Sequence, residues 1–372
     1  MRVDSPSAVS KGYLNMPGNP QSKHVAVSEL FGFCERGLIS AGVSPDDAAV
    51  AADTLVTTDS FGVSTHGTKL LAAYLRRLLG GGVRADGRPC IARELPGCAV
   101  VDGQSALGQV SGVFAMKIAI DKAKRCGLDY AGVYNGSHFG ALGYYSLLAA
   151  NAGLIGCAMC NDVPSVAAPG SRVAVTGTNP LSYAIPAGRR EPIFFDAAMS
   201  TVAGGKVYAA RMLGKPIPGD WLIGRDGRPT TDASLYPDAA FLAPMSGHKG
   251  YALAILIETL SSLLNGGAVT WQIGSWIYIA PSQPSCHSAA FLAIDVAAMQ
   301  PLDEFVERVD ALVDEIHGAQ AAEGCPSVLL PGEREWRNRQ AALTQGILLP
   351  PDVIGQLAEA ASLSRVHPAW LT

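Results

Sequence analysis

Residues 132–146 read GVYNGSHFGALGYYS, and the fold is decided there. An apolar run over 130–134 leads into the stretch and a helical pattern leaves it over 141–152, closed by Gly153. Downstream, Leu154–Cys160 (LIGCAMC) reads as another strand. Upstream, Cys98–Asp102 is a short strand and Gly108–Cys126 an amphipathic helix with Val113, Met116, Ile120 and Ala123 on one face. Strands alternating with helices in this way place the chain in the α/β class. The turn presents His138 between Gly136 and Gly140. A histidine on such a turn can carry a proton near neutral pH; on local pattern alone a plain surface-loop histidine fits equally.

Composition narrows the possibilities. Of 372 residues, 16% are charged and 48% hydrophobic, and the formal net charge is −4 with no Lys/Arg-rich run. That argues against a nucleic-acid partner. So little charge predicts a surface partly covered by a second subunit. The first 23 residues are polar and interrupted by Pro6, Pro17 and Pro20, unlike a signal peptide. The longest apolar helix candidate, 251–264, contains Glu258 and is too short to cross a bilayer. A soluble, cytoplasmic protein without a membrane partner is expected. The eight cysteines are scattered. Cys157 and Cys160 form a C-x-x-C pair, but strand alternation puts them on opposite faces, and no second pair or nearby histidine completes a zinc set. Reduced core thiols and no metal site are expected.

The remaining elements follow from periodicity and caps. Residues 1–22 read as a tail. Val27, Leu30, Phe31, Cys34 and Leu38 recur at helical spacing, and Ser44-Pro45-Asp46-Asp47 starts a second helix running to Asp59. Ser64-Thr65-His66-Gly67 precedes a third helix through Leu70, Leu71, Tyr74, Leu75 and Leu78. A helix start there would let Thr65, His66 and Lys69 hold a carboxylate, with an ordinary cap beside a surface histidine equally in keeping. Stretches 80–96, 161–180 and 215–240 read as loops. Leu181–Ile185 and 192–195 form a hairpin that delivers Asp196 ahead of Ala197 and Ala198, either a site residue or a helix cap. Gly204-Gly205-Lys206 and Ser246-Gly247-His248-Lys249-Gly250 each open a helix in a way that suits an anionic ligand. A strand over 290–295, a helix over 301–316 and a last charged helix from 330–333 to Gln345 complete the chain. No G-x-G-x-x-G opens a helix after a strand, and no G-x-x-x-x-G-K-[ST] occurs, so a standard Rossmann turn and a P-loop are both excluded.

Six blocks occur in order: STHG (64–67), GSHFGALGYY (136–145), VTGTNPLSYAIP (175–186), FFDAAMSTVAGGKV (194–207), GHKGYALA (247–254) and LLPGE (329–333). Together they resemble the type-2 malate/L-lactate dehydrogenase family, which is distinct from the Rossmann lactate dehydrogenases. It includes ureidoglycolate and sulfolactate dehydrogenases, diketogulonate reductase and piperideine-2-carboxylate reductase. The resemblance covers nearly everything from residue 23 onward. It implies an α/β fold whose non-Rossmann mixed β-sheet binds NAD or NADP, with helical N- and C-terminal parts, in a homodimer with its site near the subunit interface. The implied division is a tail (1–22), a helical substrate and dimerisation part (23–110), a cofactor-binding mixed-sheet part (111–300) and C-terminal helices packing back (301–372).

Carried over by the same resemblance, His138 is the catalytic acid/base, with Asp196 and His66 as further catalytic residues. Thr65, His66, Lys69, Thr178 and Asn179 face the substrate. His138, Asp162, Thr178, Asp196, Ala197, Ala198, Lys206, His248, Lys249, Gly250, Pro331, Gly332 and Glu333 lie on the cofactor side. The implied reaction exchanges a hydride between nicotinamide and a small 2-hydroxy or 2-oxo acid. Reduction of a cyclic imino acid and a catalytically silent nucleotide-binding member are the alternatives. Two departures bear on selectivity. Position 70, where many members carry an arginine that clamps the substrate carboxylate, is Leu70, with Lys69 the neighbouring cation. The stretch 268–288 is also atypical.

Overall fold

The computed structural model describes residues 22–371, so the expected tail falls outside them apart from residue 22. Strand β1 (Lys23–Val25) leads into helices α1 (Val27–Ser40) and α2 (Pro45–Ser60). The start of α2 is as its sequence dictates: the Asp47 N–H donates to Ser44 Oγ at 3.3 Å, and Pro45 takes the first helical position. A 3₁₀ turn (Thr68–Leu70) then delays helix α3 to Leu71–Gly80. His66 therefore stands on a turn, not at a helix N-terminus, which corrects the sequence-based expectation.

Strand β2 (Cys90–Leu95) occupies a stretch expected to be loop. All six of its residues are exposed, so it has no buried face to announce it. Next come β3 (Cys98–Asp102), α4 (Gly108–Cys126), β4 (Leu128–Gly136), α5 (Gly143–Asn151) and β5 (Leu154–Cys160). The expected loop 161–180 carries β6 (Val166–Ala167) and β7 (Ala174–Thr176), and the hairpin β8 (Leu181–Ile185) and β9 (Ile193–Ala197) follows. After α6 (Gly204–Met212), the expected loop 215–240 carries β10 (Leu222–Gly224) and β11 (Pro229–Thr230), and β12 (Ala240–Leu242) closes it. Helix α7 (His248–Ser261), β13 (His287–Asp295), α8 (Leu302–His317), α9 (Glu333–Gln345), β14 (Ile347–Leu349) and α10 (Pro351–Ser364) complete the chain, the last two lying beyond the helix expected to be final.

The central sheet has seven strands in the order β2-β3-β4-β13-β5-β8-β9, and only β3 and β4 run parallel. This mixed sheet is the non-Rossmann architecture expected. Strand alternation in β5 sends Ala158 into a core with Met116, Ala119, Tyr145 and Phe291, and Met159 to the other face against Ala254 and Ile257 of α7. Cys157 and Cys160 fall on opposite faces in the same way, and all eight cysteines are free thiols. A second sheet, β11-β10-β12-β6-β7, packs Leu222 and Leu242 against Val207 of α6. The short strands β1 and β14 pair, and Leu357 and Ala361 of α10 join Leu30, Phe33, Leu55, Leu71 and Leu75 in the helical core. Among the described residues no helix is long and apolar enough to cross a membrane.

Candidate active site

The turn between β4 and α5 is held from beneath. The Tyr145 hydroxyl donates to the Phe139 carbonyl, and Phe139 packs edge-on against Phe291 with ring centroids 6.1 Å apart. Helix α4 begins hard against the His138 backbone: a Cβ on Gly108 would stand 2.2 Å from the His138 carbonyl oxygen. With its main chain pinned this way, the half-buried His138 ring projects into a cluster of rings from three other segments. Its Nδ1 lies 2.7 Å from the Tyr74 hydroxyl of α3. Trp276 stacks on it with centroids 4.1 Å apart and planes within 17°. His66 lies nearly parallel at 5.8 Å, and His287 edge-on at 6.2 Å.

Burial holds His138 well below the usual imidazole value, and the neighbouring His66 and His287 push it the same way. Burial likewise raises the Tyr74 hydroxyl. Both partners are neutral at pH 7. Burial also lowers His66, opposed by the negative charge of Asp162.

His66 is positioned by the preceding helix. The buried Asp59 of α2 accepts the Thr68 N–H at 3.0 Å and the Thr68 hydroxyl on the same oxygen. Gly67 passes so close that a Cβ there would stand 1.8 Å from Asp59 Oδ1, so only glycine lets the loop seat on this carboxyl. Burial pushes Asp59 up to about 7, with the two Thr68 donors opposing it. Thr65 reaches His66 Nδ1 at 3.0 Å. On the far side, His287 Nε2 stands 3.3 Å from Asp162 Oδ1 and its Nδ1 2.9 Å from Ser285 Oγ, while Thr178 donates to Asp162 Oδ2 at 3.4 Å. The structure thus brings Thr65, His66, His138, Asp162 and Thr178 to one place.

Other expected residues are directed elsewhere. Lys69 donates to the exposed Asp352 on the first turn of α10 at 2.6 Å, which engages its ammonium at the surface instead of with a substrate carboxylate. Asn179 is fully buried and donates to the Ala254 carbonyl and to Glu258, tying the 178–180 loop to α7 rather than facing a ligand. Asp196 accepts the Gly143 N–H at 2.7 Å, capping the helix that follows the His138 turn and not the helix after its own strand. Although Asp196 keeps exposed surface, desolvation by the surrounding walls raises its carboxyl to about 6, against the pull of the Gly143 and Leu142 amides.

Asp196 lines a cavity of about 310 Å³ whose walls include Gly143, Tyr144, Pro331 and Gly332. Ala197 and Ala198, half-buried at and beyond the end of β9, add no bulk there. Glu333 instead points at His317 of α8 and bonds its Nε2. Helices α6 and α7 leave neighbouring segments, joined by a bridge between Ser200 and Pro244, and no side chain caps either N-terminus. Lys206, His248 and Lys249 are exposed on these first turns, and Gly250 is buried with its N–H on the Met245 carbonyl. The start of α7 opens into a cavity of about 560 Å³. Two uncapped helix starts, each with a lysine, form a donor set that fits a dinucleotide pyrophosphate.

Tyr74, Trp276, His287 and Ser285 were not among the sequence-based site residues. Tyr74 sits at core spacing on α3, where its hydroxyl gives no periodic signal. The other three lie in the atypical stretch 268–288, whose irregularity was the one available hint.

A family model described as malate/L-lactate dehydrogenase matches residues 25–358. Malate dehydrogenase of Pyrococcus horikoshii is 34% identical over 362 residues, covering 95% of this chain and 96% of that one. Malate dehydrogenase from Entamoeba histolytica has the same fold at a TM-score of 0.88 and 31% identity, covering 93% of this chain and 99% of that one. Sulfolactate dehydrogenase from Methanocaldococcus jannaschii follows at 0.86 and 32%, covering 93% and 98%. The chain belongs to the malate/L-lactate dehydrogenase family.

Proposed function

We propose that this chain is a nicotinamide-dependent oxidoreductase of small 2-hydroxy and 2-oxo acids in which His138 carries the proton. Bound NAD(P) supplies the hydride acceptor or donor at its nicotinamide ring. The observation that carries the assignment of His138 is its Nδ1, engaged by Tyr74 at 2.7 Å inside a ring of aromatic and imidazole groups. Nε2 is then the nitrogen left for substrate. In oxidation it accepts the hydroxyl proton, and in reduction it returns one to the carbonyl oxygen. Because the neutral ring prevails at pH 7, the base form is ready without deprotonation.

The substrate carboxylate falls to Thr65 and His66, since Leu70 offers no charge and Lys69 is paired with Asp352. Helix α6 approaches this edge: a Cβ on Gly205 would stand 3.4 Å from the Thr65 methyl, which places Lys206 one residue from it. Lys206 and Lys249 hold the cofactor phosphates with the first turns of α6 and α7. The flat wall of Trp276 beside His138 favours, as a second reading, a planar cyclic imino acid.

A homodimer accounts for the exposed apolar residues Leu253, Ile255, Leu256, Leu263 and Leu264 on and just after α7. Eight free thiols support a reducing, cytoplasmic setting. The test is NAD(P)H oxidation against pyruvate, oxaloacetate and piperideine-2-carboxylate, each with both cofactors. Turnover of an open-chain 2-oxo acid is expected. Turnover of the imino acid alone would select the second reading, and tight cofactor binding without turnover of the imino acid or of any member of a wide 2-oxo acid panel would overturn both.

A further inference from the structure

We propose that the site takes 2-hydroxy and 2-oxo acids carrying a single acidic group, and that Asp162 is the residue that turns a second carboxylate or sulfonate away. This selectivity rests on the function proposed above and is set around Asp162, where the remainder of the substrate lies. The Asp162 side chain is 29% exposed, and its only ion-pair partner among the described residues is His287, whose Nε2 stands 3.3 Å from Oδ1. The Val163 N–H donates to the same oxygen at 2.8 Å, and the Thr178 hydroxyl donates to Oδ2 at 3.4 Å.

His138 neighbours His66 with ring centroids 5.8 Å apart and His287 at 6.2 Å. A substrate with C1 on Thr65 and His66 and its C2 oxygen on His138 turns C3 toward His287, alongside the Trp276 ring. A second acidic group on C3 meets donors that are already spent. His287 engages Ser285 Oγ through Nδ1 at 2.9 Å and Asp162 through Nε2, and Thr178 has given its hydroxyl to Asp162. The neighbouring cations are committed elsewhere: Lys69 to Asp352, Arg76 to Glu359, and Arg77, 3% exposed, to the Trp276 and Gln283 carbonyls. Lys206 comes to this edge beside Thr65, on the C1 side, at the helix start assigned above to the cofactor phosphates.

Neither charge state of His287 changes the outcome. With a neutral ring, the flank carries the full negative charge of Asp162, and like charges in a partly enclosed site repel strongly. With a charged ring the pair is neutral, yet both N–H groups remain engaged. A second carboxylate would then lose its water without gaining a donor. A single acid meets the field of Asp162 only at C1, where Thr65 and His66 supply the contacts. An uncharged C3 substituent is not repelled at all. The discrimination comes from a repulsive element and not from a closer fit.

Two arms separate this selectivity from the reading it rests on. In calorimetry on the NAD(P)H complex, racemic lactate and racemic malate bind without reacting, since both are already reduced. Lactate is expected to bind at least about tenfold tighter in the parent chain, and Asp162→Asn to narrow the gap to within about threefold. In the kinetic arm, the parent chain is expected to favour pyruvate over oxaloacetate in kcat/KM by at least about tenfold, and Asp162→Asn to move that ratio about tenfold toward oxaloacetate. A purely structural role for Asp162 would change both substrates alike and leave the ratio where it was. A parent chain that binds malate as tightly as lactate would overturn the proposal. So would a ratio that Asp162→Asn leaves unchanged while only the Kd for NAD(P)H moves. The expected binding gap in a protein that turns over no 2-oxo acid would instead count against the proposed function and leave the selectivity standing.

Discussion

Thr68→Val isolates the clasp that seats His66. Asp59 Oδ2 accepts two donors, the Thr68 N–H at 3.0 Å and the Thr68 hydroxyl, while Oδ1 has none. Valine keeps the shape and removes one of the two donors. A hydrogen bond to a charged group is worth about 1.5–3 kcal/mol and one to a neutral group about 1 kcal/mol, so the loss depends on whether Asp59 is ionised. Its carboxyl is pushed from 3.8 up to about 7. A carboxyl raised on folding binds more protons in the native state. Its burial penalty is therefore absent below the unfolded value, grows as pH rises, and is complete above the folded one. Thr68→Val raises the folded value further, so its extra cost appears only where the native carboxylate is ionised. Urea unfolding followed by circular dichroism should show a loss of about 2 kcal/mol at pH 8.5 and about 1 kcal/mol at pH 5.5. Substrate KM should rise with it, since His66 follows Thr68. An equal loss at both pH values, or a larger one at pH 5.5, would refute the clasp.

Leu70→Arg should place a guanidinium beside His66 and lower KM for a dicarboxylic 2-oxo acid about tenfold, as one charge-assisted contact does; steady-state kinetics decide, and an unchanged KM would mean that position 70 does not face the carboxylate. Lys249→Ala should weaken NAD(P)H binding about tenfold in a fluorescence titration and leave kcat at saturation within about twofold, as loss of a phosphate contact does. Leu256→Glu, 52% exposed on α7, should shift the particle to monomer mass in light scattering; a mass matching the parent would move the subunit interface elsewhere.

The sequence was most informative where period and packing agree. The β4–turn–α5–β5 unit was legible because alternation and helical spacing both follow from a buried face, as Ala158 and Met159 show by pointing to opposite cores. Strand β2 was invisible because every residue in it is exposed. The strands β6, β7, β10 and β11 have two or three residues each, too few for alternation to register. Helix α10 packs Ala360 and Ala361 beside Leu357, and alanine gives the helical period little contrast.

At the candidate site, short motifs point to His66, His138 and Asp196, but a motif carries no information on which way a side chain turns. Lys69 reads as a substrate ligand until Asp352, 283 residues away, is seen to take it. Tyr74 and Trp276 meet His138 from 64 and 138 residues away, a proximity that only the fold creates.

The central claim is that His138 moves the proton, and His138→Ala tests it most directly when turnover and cofactor affinity are measured on the same preparation. The account predicts that kcat with the preferred 2-oxo acid falls by about 10²–10⁴ while the Kd for NAD(P)H stays within about twofold. Turnover within a few-fold of the parent chain would contradict it.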